Sequence, residues 1–446
     1  MIIPDRQSTL NQWIDWLLHL HAEEIDLGLD RIRQVAESMD LLKPAPFVIS
    51  VAGTNGKGSS VAMLVAILRA AGYRTGAYTS PHIQEFNERI QIDGQPVADS
   101  LIIDAFTKIE SSREKTKLTY FEFSTLAALE VFKNAQLDVV VLEVGLGGRL
   151  DAVNVVDADA ALITAIDIDH IDWLGDDRSV IATEKAGITR SARPAVCSDP
   201  LPPESLRQYA LEHNVPLTQF KTDFDIQQSE QGWSLVWADE ALKTEVPYSL
   251  QNLPEPGLKG DFQLQNAIGV VALLSVVSEQ LKVNDEAIIQ GLKQVRHPGR
   301  LETFKLDRQS WLVDVAHNPQ SAKALSDYLA NQAAGLESDK YQAIFSVLSD
   351  KDAEPMVREL APFIQTWLIA DLAIPRSTSV EILKKVLLQA GVNEQDIQVQ
   401  SSIEEAVEKV LQQTNHKVLT WGSFFTVSQV YDALDLMGKS ESRTDG

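Results

Sequence analysis

A single cysteine, Cys197, stands among 446 residues. One thiol makes neither an internal disulfide nor a cysteine-based zinc site, and such sparse use fits a reducing, cytoplasmic compartment. Cys197 is expected to serve as a small buried apolar residue. The chain also lacks a long apolar run. Its most apolar stretch, Ile268 to Val277, is too short to cross a bilayer and is expected to be a core helix. No basic start followed by an apolar segment opens the chain, so no signal peptide is expected. Positive charge is in deficit, with 39 Lys and Arg against 63 Asp and Glu and a formal net charge of −24. That balance argues against nucleic acid or an anionic membrane as a partner. Tandem repeats and low-complexity blocks are missing too.

What is present reads as an ordinary globular composition, 44% hydrophobic and 23% charged. The length exceeds one ordinary core and predicts at least two domains. Leu10 to Leu20 reads as a helix with Trp13, Ile14, Leu17 and Leu18 near one face. Ile25 to Met39 reads as a loop followed by a second helix. Phe47 to Val51 is a short apolar strand, followed by a glycine-rich turn and a helix over Ser59 to Ala71 that Gly72 stops. Val139 to Leu142 is a buried-strand run ending in Glu143, and a second glycine-rich turn comes after it. Ala160 to Ile166 is a further strand, leading into Asp167, Asp169 and His170. Short apolar strands alternating with helices predict a parallel sheet covered on both faces, with ligands outside the carboxyl ends of the strands.

Leu217 to Leu258 departs from this pattern and reads as a β-rich insertion or edge. After His297-Pro298-Gly299 the alternation restarts, with strands expected at Trp311 to Val313, Ala343 to Val347, Trp367 to Ile369 and Val418 to Trp421. The expected architecture is α/β throughout. A large N-terminal P-loop-type parallel-sheet domain spans 1–297, a smaller Rossmann-like C-terminal domain spans 298–438, and 439–446 form a flexible tail. The site is expected in the cleft between the domains.

The central motif is Gly53-Thr54-Asn55-Gly56-Lys57-Gly58-Ser59. A strand delivers the chain to a turn whose glycines let backbone N–H groups approach phosphate oxygens, and the following helix adds its positive end. Lys57 would reach the terminal phosphates, and Ser59 offers a hydroxyl near a metal. The spacing differs from the usual P-loop pattern, because Val51 replaces the first glycine and Gly58 separates the lysine from Ser59. The strand, loop and helix context still marks a nucleotide site, with Thr54, Asn55, Gly56, Lys57, Gly58 and Ser59 as its residues.

Together with several later segments, this loop resembles folylpolyglutamate synthases and bifunctional dihydrofolate synthases within the Mur ligase superfamily, over most of the chain. Thr79-Ser80-Pro81-His82-Ile83 resembles the family's Ser-Pro-His motif. The run Leu142 to Asn154 matches the family throughout and is the most specific signal. The resemblance implies an ATP- and Mg²⁺-dependent ligase joining L-glutamate to dihydropteroate and to reduced folates through an acyl phosphate. The chain is expected to act as a monomer on these small molecules. By the same resemblance Asp26, Leu27, Gly28 and Leu29 line the pterin pocket, with Thr119, Tyr120, Phe121 and Glu122 and with Leu150, Asp151 and Ala152. A flat heteroaromatic ring suits aromatic walls with a few fixed polar groups.

The resemblance further implies Ser80, Glu143 and His170 as metal ligands, with Ser59 as another. Lys185, in Thr183-Glu184-Lys185-Ala186-Gly187, looks like the family's modified lysine, which carries CO₂ as a carbamate and binds a second Mg²⁺. Asn266 and Arg300 resemble ATP-contacting positions. Asp314, in Asp314-Val315-Ala316-His317-Asn318-Pro319, would hold the nucleotide, and His317 the incoming glutamate or phosphate. Lys57, His170, Lys185 and His317 are the expected catalytic set. Three competing classes are a synthase of folylpolyglutamate alone, a cell-wall Mur ligase and a nucleotide-dependent switch without ligase chemistry.

Overall fold

A computed structural model of the chain describes residues 2–21, 25–238, 250–306, 308–333, 340–413 and 416–439. The chain forms two compact units: unit 1 comprises residues 1–82, 86–257 and 263–295, and unit 2 comprises 83–85, 258–262 and 296 onward.

The strands of unit 1 are β1 (Phe47–Ala52), β2 (Thr75–Tyr78), β3 (Ile90–Ile92), β4 (Gln95–Pro96) and β5 (Val139–Glu143). They continue with β6 (Ala160–Ile163), β7 (Ala195–Cys197), β8 (Leu217–Gln219), β9 (Phe224–Ser229) and β10 (Gly232–Trp237). Among the described residues the first eight make one sheet in the order β4-β3-β2-β5-β1-β6-β7-β8. The run from β2 to β8 is parallel, and β3 and β4 add an antiparallel edge. Successive strand side chains point to opposite faces, yet Val139, Val140, Val141 and Leu142 are all fully buried. Both faces of the sheet centre are therefore covered, as the unbroken apolar run predicts. The order places β1 between β5 and β6. The glycine loop that leaves β1 is thus flanked by the loops leaving β5 and β6, with that of β2 one strand further out.

The largest core of unit 1 packs the N-terminal helix Leu10–Leu17 against the helices Asp99–Ser112 and Tyr120–Ala135. Trp13 meets Trp16 edge-on at 5.7 Å and Phe106 at 5.6 Å, and Trp16 meets Phe123 at 6.2 Å. The buried stripe is Leu10, Trp13, Trp16 and Leu17. Leu18, expected on that face, is 58% exposed: it caps the helix in helical conformation, and at about 100° per residue it falls well off the stripe made by Leu10, Trp13, Trp16 and Leu17. Cys197 is fully buried, and burial pushes its thiol up to about 12, so it behaves as core.

Two strand expectations shorten or divide. β6 stops at Ile163, and beyond its last ladder bond, from Thr164 N–H to the Ala52 carbonyl, the chain is bonded to the glycine loop instead. The Leu217 to Leu258 region supplies the edge strand β8 and the antiparallel hairpin β9–β10. Its residues 239–249 lie outside the described residues, as does the expected tail beyond Lys439.

Unit 2 contains β11 (Glu302–Leu306), β12 (Gln309–Val313), β13 (Tyr341–Phe345), β14 (Ile364–Ile369), β15 (Ile397–Val399) and β16 (Lys417–Trp421). These form a sheet in the order β11-β12-β16-β13-β14-β15, parallel except for the β11–β12 hairpin. Its core is aromatic: Trp421 lies 4.6 Å from Phe345 and 6.1 Å from Trp367, ring centre to ring centre. Among the described residues no helix is long and apolar enough to cross a membrane.

Replacing Trp421 by alanine removes a fully buried ring from the middle of that sheet. A loss of about 3–5 kcal/mol in stability is expected, read from urea unfolding by near-ultraviolet circular dichroism. An unchanged unfolding midpoint would contradict this packing.

Candidate functional site

Among the segments that leave the carboxyl edge of the large sheet are the loops after β1, β2, β5 and β6. The loop after β1 is fastened to the chain after β6 by an unusual density of bonds. Thr54 N–H donates to the Ala165 carbonyl at 2.7 Å, and the Thr164 hydroxyl donates to the carbonyls of Asn55 at 2.7 Å and Ala52 at 3.2 Å. The Thr54 hydroxyl donates to the Asp167 carbonyl at 2.8 Å and accepts from the Asp167 N–H at 2.9 Å. Thr54 therefore shapes the loop, and its hydroxyl faces the protein. Gly56 caps the helix Lys57–Ala70 with φ +88°, in the left-handed region. A Cβ there would also lie 2.2 Å from Asn266 Oδ1. The left-handed φ calls for glycine at this position, and the Asn266 side chain sits directly against the loop.

Lys57 Nζ donates to the carbonyls of Gly53 at 2.9 Å and Thr54 at 3.2 Å, folded back along its own loop. Gly58 and Ser59 open the helix and are buried. The Ser59 hydroxyl accepts from Gln263 Nε2 at 3.1 Å, and Gln263 Oε1 accepts from Asn266 Nδ2 at 2.9 Å. Gln263 was missed by sequence reasoning. Its one signal is that it precedes Asn266 by three residues on a helix, one turn along the same face.

After β2, the backbone N–H of Ser80 donates to Glu143 Oε2 at 3.2 Å, which joins two of the expected metal ligands at one corner. Glu143 ends β5 and is only 5% exposed. The next turn is closed by Asp151, which accepts from Leu146 N–H at 2.8 Å and Val153 N–H at 3.0 Å. Burial lifts the Asp151 carboxyl to about 6 against the opposing pull of these amides and of Lys57. Its oxygens face the turn, so it fixes the shape of the Gly145–Gly148 segment. Leu150 is half-buried and Ala152 is buried in the short 3₁₀ turn that Asp151 caps.

Gly148 makes the next link. A Cβ on it would stand 2.4 Å from the Glu184 carbonyl oxygen and 2.9 Å from Lys185 Cα. The close approach seats the helix Arg178–Ala186 against the turn, and Arg149 reinforces it by pairing with Glu184 at 2.8 Å. Lys185 is 3% exposed. Burial lowers its amine from 10.5 to about 7, the charge of Lys57 adds to the effect, and Asp169 opposes it. His170 is half-buried, in a left-handed conformation at the start of the short helix Ile171–Leu174. Among the described residues no group of three or more His, Cys, Asp or Glu side chains converges as a metal site. The expected metal set relies instead on Ser80, Glu143, His170 and a modified Lys185, with the Ser59 hydroxyl bonded to Gln263.

The expected acceptor-binding segments are joined by a residue outside that set. Arg31 donates to the Asp26 carboxylate at 2.8 Å and the Asp26 carbonyl at 2.6 Å, and lies 3.3 Å from Glu122 Oε1. It ties Asp26, Leu27, Gly28 and Leu29 to the start of the helix Tyr120–Ala135. Thr119 and Glu122 form that helix's capping box, the hydroxyl accepting from Glu122 N–H at 3.2 Å and the carboxylate from Thr119 N–H at 2.7 Å. Burial raises the Glu122 carboxyl while Arg31 and the Thr119 amide lower it. Thr119 and Glu122 thus aim the helix, and Tyr120 and Phe121 carry its aromatic surface. The ring of Phe121 packs 5.9 Å from that of Tyr78 and fills the space where a Cβ on Gly145 would fall. It touches the second glycine turn directly.

In unit 2, Asp314 accepts from Leu301 N–H at 2.9 Å and Ala316 N–H at 2.8 Å, so both oxygens serve main-chain amides. Burial raises its carboxyl, and Arg300 opposes the rise. His317 Nδ1 lies 2.8 Å from the Val315 carbonyl and so carries the proton, leaving Nε2 as the acceptor. Arg300 and His317 meet over one ring: the guanidinium stands 4.9 Å from the centre of Phe424, and the imidazole 5.8 Å. Phe424 lies in Trp421 to Thr426, a segment that resembles the family but to which the sequence assigns no role.

Comparison with known proteins gives the same division. Residues 51–274 match the Mur ligase middle domain, and residues 299–424 match the Mur ligase glutamate ligase domain. The chain is 37% identical to the dihydrofolate synthase/folylpolyglutamate synthase of Escherichia coli K12, over 97% of each chain. It is similar to the solved E. coli FolC in complex with DHPP and ADP, with a TM-score of 0.87 and 37% identity, covering 98% of this chain and all of that one. It also resembles the Yersinia pestis bifunctional folylpolyglutamate synthase/dihydrofolate synthase complexed with AMPPNP and Mn ion. There the TM-score is 0.84 and the identity 40%, over 97% of this chain and 99% of that one.

The Gly56→Ala substitution is expected to weaken ADP binding at least about tenfold by calorimetric titration, because left-handed strain and the Asn266 clash act together. Unaltered affinity would mean that the loop tolerates another shape. Lys185→Met gives a second test through pH. Between about 7 and 10.5 the unfolded lysine binds a proton that the folded one lacks, so native stability rises with pH across that window. In metal-free, bicarbonate-free buffer the methionine variant should therefore be the more stable protein at pH 7. Its advantage should shrink toward pH 10, and a constant difference would show that Lys185 does not titrate in this way.

Proposed function

The chain belongs to the Mur ligase family, among its dihydrofolate synthase/folylpolyglutamate synthases, and from that premise we propose that it joins L-glutamate to dihydropteroate and to reduced folates. ATP drives the reaction. A carboxylate oxygen of the acceptor attacks the γ-phosphorus and ADP leaves, giving an acyl phosphate. The glutamate amine then attacks the acyl carbon, phosphate departs, and the amine proton goes to solvent. The observation that carries this reading is the meeting of a phosphate-type loop, the Ser80–Glu143 corner and the buried Lys185 at one sheet edge.

In this reading the backbone of Asn55 to Ser59 cradles phosphate oxygens, and Lys57 leaves the carbonyls of Gly53 and Thr54 to meet them. Asn266 supports the loop and contacts the nucleotide, with Arg300 and Asp314 also assigned to nucleotide and His317 to glutamate or phosphate. Phe121 and Tyr120 form the aromatic wall for the pterin, while Asp26 to Leu29 and Leu150 to Ala152 supply the rest of the pocket. The donor set fits Mg²⁺: serine hydroxyl, carboxylate and a lysine carbamate are all hard oxygen ligands. Bound there, the metal supplies charge neutralisation for the phosphates and the carboxylate. Lys185 suits the carbamate role because an amine held near 7 is neutral often enough to capture CO₂, and the product anion removes its repulsion with Lys57. His170 is assigned as a further metal ligand, and the Lys185 carbamate to a second ion. The enzyme acts in the cytoplasm as a monomer.

The test is phosphate release with ATP, Mg²⁺ and glutamate, using dihydropteroate or tetrahydrofolate as acceptor and mass spectrometry of the products. Both acceptors should gain one glutamate. A product from tetrahydrofolate alone would leave a synthase of folylpolyglutamate only. A product from neither would sink the folate assignment and favour another amino-acid ligase of the Mur type.

A further inference from the structure

Arg89 is a buried cation whose charge no carboxylate among the described residues answers. It lies just before β3, is 8% exposed, and has no described Asp or Glu within ion-pair distance. Arg113, buried to the same degree at 9%, is held by Glu110 at 2.5 Å. Arg31, Arg149, Arg178, Arg190 and Arg193 likewise each have a carboxylate partner. Taking a guanidinium out of water without a counter-ion is costly, so the exception asks for a reason. Arg89 lies over two rings instead, 5.6 Å from the centre of Phe86 and 5.4 Å from that of Tyr120. Such contacts offset part of the cost and fix the plane of the group.

The hydrogen bond that its side chain makes is equally informative. Arg89 Nε donates to His82 Nδ1 at 2.7 Å. A guanidinium is always a donor, so Nδ1 is the acceptor and the imidazole proton must sit on Nε2. The pair therefore presents one type of group only: the terminal N–H groups of Arg89 and the Nε2–H of His82. The terminal nitrogens are not among the sealed, unpartnered atoms, so they still reach solvent. Position narrows the ligand. Tyr120 belongs to the aromatic wall, and His82 lies two residues after the Ser80 that bonds Glu143. A planar anion lying between an aromatic wall and the reacting corner is the carboxylate end of an aryl acceptor. Arginine matches such a group with two parallel bonds.

We propose that Arg89, with the His82 imidazole bonded to it, forms the subsite that takes a carboxylate of the acceptor. The inference rests on the folate-ligase reading for the identity of the acceptor. It also accounts for how so acidic a protein admits an anion at this point, since a desolvated cation is already in place.

The test compares wild type, Arg89→Gln and Arg89→Lys. In R89Q the KM values for dihydropteroate and tetrahydrofolate should rise about 10- to 100-fold, the size of a lost charge-assisted pair, while the KM for ATP stays within about twofold. Direct fluorescence titration with the carboxamide analogue of dihydropteroate, which lacks the charge, should give the same affinity for wild type and variant. R89K should fall between them, because it keeps charge and loses the fork; it also carries the test if R89Q fails to fold by calorimetry. A loss confined to tetrahydrofolate would put the pair on a glutamyl carboxylate, a loss confined to dihydropteroate would put it on the benzoyl carboxylate, which tetrahydrofolate holds as an amide, and a loss for both would put it on the carboxylate that each acceptor activates. Equal losses for carboxylate and carboxamide, or no loss at all, would overturn the proposal and leave Arg89 a packing residue. Failure of the wild type to make any amide would instead defeat the folate reading, and the titration with dihydropteroate itself would still decide the subsite.

Discussion

The arrangement of unit 1 depends on the Thr164 hydroxyl and its neighbours, which fasten the glycine loop after β1 to the chain after β6. A glycine-rich loop is entropically free, and a free loop does not hold its N–H groups on a phosphate. Here that freedom is removed by bonds from the next strand: Thr54 N–H to Ala165, Thr164 Oγ1 to two loop carbonyls, and the Thr54 hydroxyl to both ends of Asp167. Each is worth about 1 kcal/mol on its own, but they act on one short turn and so fix it as a unit. The same bonds hold the chain beyond β6 beside the loop as it runs toward Asp169 and His170. Loop shape and the position of the candidate metal segment are therefore one constraint.

Charge is organised against the background of the whole molecule. A chain with a net charge of −24 repels nucleotides and folates at long range, so its site must reverse the field locally. Lys57 and Lys185 are close enough that the charge of the first adds to burial in lowering the pKa of the second, against the pull of Asp169. Adding CO₂ to Lys185 would turn one of two mutually repelling cations into an anion beside Lys57. Burial makes the unmodified lysine unstable in its charged form and so favours a change of state.

Much of the fold was legible because the sheet centre is built from unbroken β-branched runs such as Val139-Val140-Val141, which have few alternatives to a buried parallel strand. The N-terminal helix was harder. It ends at Leu17 where Leu20 was expected, and no local residue marks that stop. The candidate site was legible where backbone geometry demands a residue type, as at Gly56. It was not legible where function rests on partners distant in sequence. Gln263 reaches Ser59 across 204 positions, and Arg300 and His317 share Phe424 only after folding.

Asp151 and Asp314 show what a motif conveys about a carboxylate. Both lie in segments that resemble ligand-binding motifs, and both end a strand or turn beside a glycine or a helix start. In each case the two oxygens accept main-chain N–H groups on either side of a bend, and burial raises the acid despite those bonds. A buried carboxylate with several backbone donors is a rigid knot, since the charge draws the amides together and no other short side chain accepts as many. Such residues govern a site by fixing where the loops lie. Phe121 packs against the turn that Asp151 closes, and His317 follows the bend that Asp314 closes.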